Sequence, residues 1–453
     1  MGAAPGMIAF NDVDFSQFPW RIATDRYTSQ ELQQVEREQL WMKLWQIAGR
    51  VDELPVPGDW KTYRLFDQSY VIVRGKDGKL RGFINACRHR GNVLCDAAKG
   101  HTPKFTCPYH LWTYGLDGAL LAVARPDLVG PIDKGEHHLH QVPVDAAFGF
   151  VFINPDRDCE PLADFLTSQV VDGLSPYKLE EMTPVGMDVR EELKCNWKVV
   201  MDAFSEGYHI IGVHPELLKV IDLEAGSATH GMFGDHGVAW SPFEVKDAAN
   251  ASLEEQVQAI RDLPATFPTV AEVLPLFEQM VAGHRGADGT LAFPAGTTVR
   301  TVLQQATRAV LTAKGLDVSG LVDDQMSDNQ GWFLFPNFFM TIRAGEATTI
   351  LAYPHPSGDP NQCIWHCTAY MWLPEALRVS YRAELTEVTE PGSYPYFLAL
   401  QQDYDQMQRQ QQGLRNKGLT HLSLVREELS VARFHRSWEK HMALAMAQVE
   451  AAE

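Results

Sequence analysis

Cysteine and histidine occur in this chain as two small mixed pairs: Cys87 and His89 in "CRHRGNVLC", then Cys107 and His110 in "CPYH", separated by seventeen residues, 90–106. Each half offers one thiolate and one imidazole. Two Cys and two His are a common structural zinc set, but zinc-finger spacing pairs Cys with Cys and His with His. Mixed halves suit a [2Fe–2S] cluster, with Cys87 and Cys107 on one iron and His89 and His110 on the other. Replacing two thiolates by imidazoles in this way raises the reduction potential. Both halves lie in strand–turn segments flanked by Gly91 and Pro108, so two tight loops can present their ligands to each other. Cys95 matches neither half and reads as packing. "CIWHC", 363–367, lies in an alternating strand, which puts Cys363 and Cys367 on one face and His366 on the other.

A second constellation stands in "DAFSEGYHIIGVHP". Glu206 and His209 are i and i+3, on one face of a helix. His214 lies five residues on, about 500° around at about 100° per residue, so an ideal helix turns it partly away. Gly212 and Pro215 predict a distortion that lets both imidazoles converge. Paired histidines on a helix are more often structural, and these gain weight from the redox cluster in the same chain. Two His and a carboxylate form the facial triad of non-heme Fe(II) sites, which leaves positions open for dioxygen and substrate.

The chain that must position these groups has 453 residues, enough for two domains, and 45% hydrophobic and 21% charged residues, as in a globular enzyme. No apolar run is long enough to cross a bilayer, and the N-terminus shows no secretory pattern. "MGAAPG" lacks the Ser or Thr of a myristoylation start. A cytoplasmic, soluble protein is expected. The formal charge of −19 argues against a nucleic-acid partner. Residues 81–104 nevertheless carry Arg81, Arg88, Arg90, Lys99 and Lys104 against Asp96 alone, a possible dock for an acidic partner. An odd cysteine count, seven, fits buried or metal-bound thiols better than a disulfide framework.

Periodicity predicts a helix over 28–49, with Thr28 and Glu31 as a capping box and Leu32, Val35, Leu40, Leu44 and Ile47 as its apolar face. From Val51 to Pro155 the runs "KTYRLF", "SYVIVRG", "LRGFINA" and "FGFVFINP", with Asp-Gly turns in "KDGK" and "LDGA", predict a compact all-β module. Helical patterns return after Pro161. The stretch 245–323 reads as helical, and "GWFLFPNFFMTIR", "ATTILAYPHP" and "QCIWHCTAYMWLP" read as three antiparallel strands before a helical tail. The expected class is α+β: an N-terminal helical segment (1–49) packing with the catalytic domain, an all-β domain (50–160), and an α+β domain (161–453) whose antiparallel sheet is flanked by helices.

Residues 50–155 resemble the Rieske domain of the ring-hydroxylating oxygenase family, apart from Leu111, where that family usually has Gly. "NWKVVMDAFSEGYHIIGVHP" resembles the catalytic motif of the family's α subunits, which implies His209 and His214 as iron ligands. The family's third ligand is an Asp in a helix ending Gln-x-Gly-Leu. In "QQDYDQMQRQQQGL" Asp403 has the family offset from Gln411 and is preferred to Asp405. Glu206 stands where most members carry an Asp that bridges an iron-ligating His to a Rieske His of a neighbouring subunit. Asp202, one turn earlier, is either a hydrogen-bond partner behind the ligands or polar surface.

The resemblance implies a terminal oxygenase using O2 and electrons from NADH or NADPH, delivered by a flavin reductase, a ferredoxin or both. It implies a homotrimer, with or without β subunits. The residues Phe333, Phe335, Asn337 and Phe339 are the expected pocket lining, favouring a hydrophobic, aromatic substrate, with 245–323 as a cap. The expected reaction is monooxygenation, including N- or O-dealkylation. Cis-dihydroxylation is the alternative. Two other classes make distinct forecasts: an electron-transfer Rieske protein has one iron centre, and a zinc-stabilised binding module is colourless.

Overall fold

The computed structural model describes residues 6–215, 217–219, 228–245, 248–265 and 268–450. The chain forms two compact units, one built on Gln30–Phe165 and the other on Leu166–Tyr353 and Pro360–Lys440 with the N-terminal residues up to Ser29. Among the described residues no helix is long and apolar enough to cross a membrane.

The smaller unit is mainly β after its first helix, with short helical turns such as Pro126–Val129 between strands. Strands Asp59–Leu65, Gln68–Arg74 and Leu80–Ile84 form the middle of a five-stranded sheet, and two three-stranded sheets complete it. The two Asp-Gly turns are built alike. Gly78 and Gly118 take φ +78° and +84°, which glycine adopts without a Cβ penalty, while Asp77 and Asp117 accept the backbone N–H two residues on. Val71, Val73 and Phe83 share one core cluster with Cys87 and Cys107. The apolar face of the strands thus holds the thiols.

The helix expected over 28–49 is shorter. Thr28 ends a preceding turn and its hydroxyl donates to the Thr24 carbonyl, so α1 runs Gln30–Glu36 and continues as a wider turn over Arg37–Trp41. Its buried positions are Gln33, Glu36, Leu40 and Trp41, rotated from the Leu32/Val35 stripe that periodicity indicates. Ile47 lies in strand Gln46–Arg50, which pairs with Phe150–Ile153. Its β-sheet partner lies about a hundred residues away, beyond the reach of a local pattern.

The larger unit carries a nine-stranded sheet. "GWFLFPNFFMTIR" is two strands, Asn329–Leu334 and Phe338–Arg343, because Pro336 has no N–H for the ladder and the chain reverses there. The sheet is mixed rather than wholly antiparallel, since Thr386–Glu387 joins Met182–Leu193 in parallel. A two-residue edge strand leaves no pattern in a sequence.

Strand His236–Ser241 pairs directly with Asn329–Leu334, so the segment between them leaves and re-enters the sheet at one place. It is helical as expected: α2 is Trp197–Phe204 and α3 Ile210–Val213 before it, and α4 Leu253–Asp262, α5 Leu274–Ala282 and α6 Val299–Ala313 fall within it. Val257, Ile260, Phe277, Val281, Val302 and Ala306 give these three helices a core of their own. Buried Asp328 pins the excursion. It accepts from Trp240 Nε1 and Phe243 N at the exit and from Arg300 on α6 at the return, at 2.7–3.0 Å. Two further helices follow the sheet in sequence, α7 Leu398–Leu414 and α8 Leu429–Glu450.

His230 is buried in strand Thr229–Phe233, where burial first and the Arg433 guanidinium second push its pKa down to about 4 from 6.5. The unfolded chain takes up this proton near pH 6.5 and the folded one only near 4. Stability from neutral His230 is therefore complete above about pH 6.5 and is lost as pH falls toward 4, on the order of 3 kcal/mol. Denaturant titrations at neutral and mildly acid pH are expected to show the loss, and His230→Gln to flatten it.

Candidate metal centres

The cluster loops repeat one geometry. Cys87 N donates to Asn92 O and Gly91 N to Cys87 O; Cys107 N donates to Trp112 O and Leu111 N to Cys107 O, all at 2.8–3.0 Å. Both thiols are buried, at 3% and 1% exposure, while His89 is exposed and His110 half-buried. The imidazoles pair at the surface with Nδ1 atoms 3.2 Å apart, and Trp112 stacks on His89 at 4.9 Å. Burial raises the Cys87 thiol above an ordinary one, while a hydrogen bond from Tyr114 favours its thiolate. Tyr114 Oη also accepts from Arg88 N, fixing the loop.

A zinc ion needs its four donors around one point. Thiols on the inside and imidazoles on the outside fit the two irons of a Rieske cluster instead.

Leu111 occupies the place of Gly91 in the second loop and takes φ +60°, with its side chain exposed. A β-carbon in the left-handed region costs about 1 kcal/mol. Leu111→Gly is expected to raise stability by about that amount with the cluster spectrum unchanged, read by thermal melting of the loaded protein. Of the basic run, Arg81 is taken by Asp77, and Arg88 by His140 and the Glu136 carbonyl. Arg90, Lys99 and Lys104 stay exposed.

The second site is assembled from α2, α3 and α7. Asn196 caps α2, accepting from Lys198 N, and donates to the Tyr27 and Pro360 carbonyls. The helix expected to carry Glu206 and His209 together ends at Phe204. The two residues lie in a turn at Gly207, where Glu206 Oε2 accepts from His209 N at 3.0 Å and Oε1 stands 2.6 Å from His209 Nδ1. His214 closes α3 just before Pro215. Its Nδ1 is 2.7 Å from Gln402 Oε1, and its Nε2 is 2.9 Å from Asp403 Oδ1. His209 Nε2 is 3.6 Å from that same oxygen.

Both acceptors, a carboxylate and an amide oxygen, require N–H at Nδ1. Each ring turns its Nε2 toward Asp403, where giving up any proton on that nitrogen would free a lone pair for a metal. His209, His214 and Asp403 bring one ligand atom each within 4.8 Å of one another, the set a mononuclear Fe(II) needs. Asp405 lies on the exposed face of α7 and accepts from Gln401.

Gln411 explains why the end of α7 matters. Its Oε1 accepts from Asn196 N, and its Nε2 donates to Tyr27 O and Asn361 Oδ1, tying α7 to the start of α2. Gln402 and Gln411 are contributors that residue chemistry did not single out. Asp202 is not surface: it accepts from Tyr27 Oη at 2.6 Å and lies 3.2 Å from His435 Nε2, in a buried cluster. Phe333 and Phe335 pack on Phe434 of α8, and Asn337 Nδ2 donates to the Ala352 carbonyl. Phe339 stacks on Phe204, at the end of α2.

Residues 44–131 match the Rieske [2Fe-2S] domain, and residues 179–444 match the family described as ring hydroxylating alpha subunit (catalytic domain). The chain belongs to this family. As a Rieske oxygenase α subunit it carries the donors for both centres, a [2Fe–2S] cluster and a mononuclear iron. It is similar to the glycine betaine monooxygenase oxygenase subunit of Pseudomonas aeruginosa, 36% identical over 196 residues, or 43% of this chain and 45% of that protein. The carnitine monooxygenase oxygenase subunit of Acinetobacter pittii is 33% identical over 45% of this chain and 55% of its own. The anthranilate 1,2-dioxygenase large subunit of Acinetobacter baylyi is 33% identical over 45% and 44%. The matched stretch of this α subunit thus spans about half the length of these curated relatives. In fold it resembles a quaternary ammonium Rieske monooxygenase in complex with L-carnitine (TM-score 0.63, 19% identity, 94% of this chain and 97% of that one). It also resembles naphthalene 1,2-dioxygenase with indole bound (0.67, 19%, 96% and 95%).

Proposed function

We propose that this α subunit is the terminal oxygenase of a multicomponent monooxygenase that oxidises a C–H bond next to nitrogen in a small quaternary or tertiary amine. The observation that carries an oxygenase is the His209/His214/Asp403 trio, whose two imidazoles turn their Nε2 atoms to one carboxylate oxygen. The metal held there supplies dioxygen activation, with electrons relayed from the cluster. The residues do the rest. Glu206 and Gln402 hold the imidazole tautomers, and Gln411 and Asn196 fix the spacing of the helices that carry the ligands.

In this reading the Glu206 carboxylate also meets the His89/His110 edge of a neighbouring copy, within a homotrimer, and shortens the electron route to His209. Exposed Arg90, Lys99 and Lys104 receive an acidic ferredoxin or flavin reductase that draws on NAD(P)H. The helical excursion 245–323 covers the substrate entrance.

The balanced reaction takes substrate, O2, two electrons and two protons to a hydroxylated product and water. A hydroxylated N-methyl group then loses formaldehyde. Two of the relatives named above are monooxygenases of glycine betaine and carnitine, and they favour this substrate class. An aromatic substrate is the second reading, favoured by the Phe204–Phe339 stack and the anthranilate relative. Loaded enzyme with a reductase should be offered glycine betaine, carnitine and anthranilate. Formaldehyde released in step with NADH oxidation, from an amine only, is expected. A cis-diol from the aromatic acid, or the catechol left when such a diol loses ammonia and CO2, with the amines inert, would overturn the substrate assignment.

A further inference from the structure

Next to the iron-site ligands runs an unbroken line of oxidisable rings. Tyr404, the residue after Asp403 on α7, packs against Trp365 with centroids 5.7 Å apart. Trp365 is 5.2 Å from Tyr396, and Tyr396 is 4.8 Å from Tyr394; Tyr396 and Tyr404 also touch directly at 5.7 Å. Trp365 further lies 6.4 Å from the Phe204 ring, at the end of α2 just before Glu206. The first three rings are buried, and Tyr394 reaches partial exposure.

A carboxylate sits inside this line. Glu191, 2% exposed, accepts from Tyr396 Oη at 2.5 Å, from Tyr404 Oη at 2.9 Å and from Gly392 N. Both phenols thus donate to one buried carboxylate. Phenylalanine at both positions would fill the same space without a buried acid, whose desolvation is costly. Oxidising a tyrosine, by contrast, requires an acceptor for its proton, and here one carboxylate serves two phenols.

We propose that Tyr404, Trp365, Tyr396 and Tyr394, with Glu191 as proton acceptor, form a path by which oxidising equivalents leave the iron site when dioxygen is reduced without a substrate being hydroxylated. The inference rests on the reading of that site as oxygen-activating. Tyr404 gives one electron to the oxidised site and its phenolic proton to Glu191, becoming a neutral phenoxyl radical. An electron from Tyr396, directly or through Trp365, restores Tyr404 as Glu191 returns the first proton and takes that of Tyr396. Tyr394 then reduces Tyr396 in the same manner and releases its own proton to water. A soluble one-electron reductant, such as a low-molecular-weight thiol, re-reduces Tyr394 at the surface. The path protects His209, His214 and their neighbours from oxidation.

The test is freeze-quench EPR of reduced holoenzyme mixed with O2 and no substrate, alongside counts of uncoupled turnovers before inactivation and mass-spectrometric mapping of oxidised residues. Wild type is expected to give a tyrosyl-type radical. Tyr394→Phe, which touches neither Glu191 nor a ligand, is expected to trap the radical on a buried ring and to inactivate several-fold sooner per O2 consumed. Tyr396→Phe and Trp365→Phe should act likewise, with oxidation shifted toward the iron-site residues. Consumption of O2 and oxidation of iron without any protein radical, and with Tyr394→Phe surviving as long as wild type, would overturn the path alone. Reduced enzyme that neither consumes O2 nor binds nitric oxide would overturn the oxygen-activating reading and the path with it.

Discussion

Asp403→Ala is expected to strip the mononuclear iron while leaving the [2Fe–2S] spectrum intact, and Asp405→Ala to change neither. The two acids are two residues apart on α7, hence about 200° apart around it. Only Asp403 turns inward, to 2.9 Å from His214 Nε2, whereas Asp405 accepts from Gln401 at the exposed face. Loss of a hydrogen-bond partner of a ligand typically costs about 10–100-fold in metal affinity or in activity, so loss of the ligand itself should cost more than about 100-fold in affinity. Without Asp403, two imidazoles would also face each other with no negative charge between them. Iron analysis after desalting, paired with the visible spectrum of the cluster, checks both variants. Iron retained in Asp403→Ala, or lost in Asp405→Ala, would contradict the ligand set.

Glu206→Gln is expected to keep both metals and to lose turnover by about 10–100-fold, the range seen when a ligand's supporting partner is removed. Glu206 accepts from His209 twice, at the backbone N–H and at Nδ1. An amide can accept at one of these only. Its NH2 must face the other donor, leaving a partly buried N–H unsatisfied at about 1–3 kcal/mol. The imidazole then loses the charge that orients it and raises its basicity. If Glu206 also lies on the electron route, stopped-flow oxidation of the pre-reduced cluster will slow with the iron content unchanged. Normal cluster oxidation with low turnover would assign Glu206 to ligand orientation alone. Unaltered turnover would remove it from both roles.

What could be read in the sequence follows how local each feature is. The cluster loops are short turns closed by their own backbone hydrogen bonds, so the spacing of Cys87, His89, Cys107 and His110 already shows which groups can face each other. His209 and His214 are likewise near neighbours, although the turn at Gly207 that joins them differs from the regular helix their spacing indicates. Asp403 lies 189 residues from His214. Only the resemblance offered it, and the reason, Gln411 reaching Asn196, is a tertiary contact.

The strand Met182–Leu193 went unread for a related reason. Its inward positions include Met187, Val189 and Leu193 but also Glu191, an acid made tolerable there by two distant tyrosines. The buried face of α1 was misplaced because Gln33 and Glu36, rather than Leu32 and Val35, turn inward. Hydrophobic periodicity cannot register polar residues that turn inward.

The central claim is that one chain holds a Rieske cluster and a separate, open iron site, and EPR of the anaerobically reduced protein with nitric oxide tests it most directly. Nitric oxide binds an Fe(II) that has a vacant coordination position and gives a high-spin signal distinct from that of the reduced cluster. The prediction is both signals in the wild-type protein, with the high-spin one absent from His209→Ala and the cluster signal unchanged. A cluster signal alone, in protein fully loaded with iron, would contradict the account and leave an electron carrier.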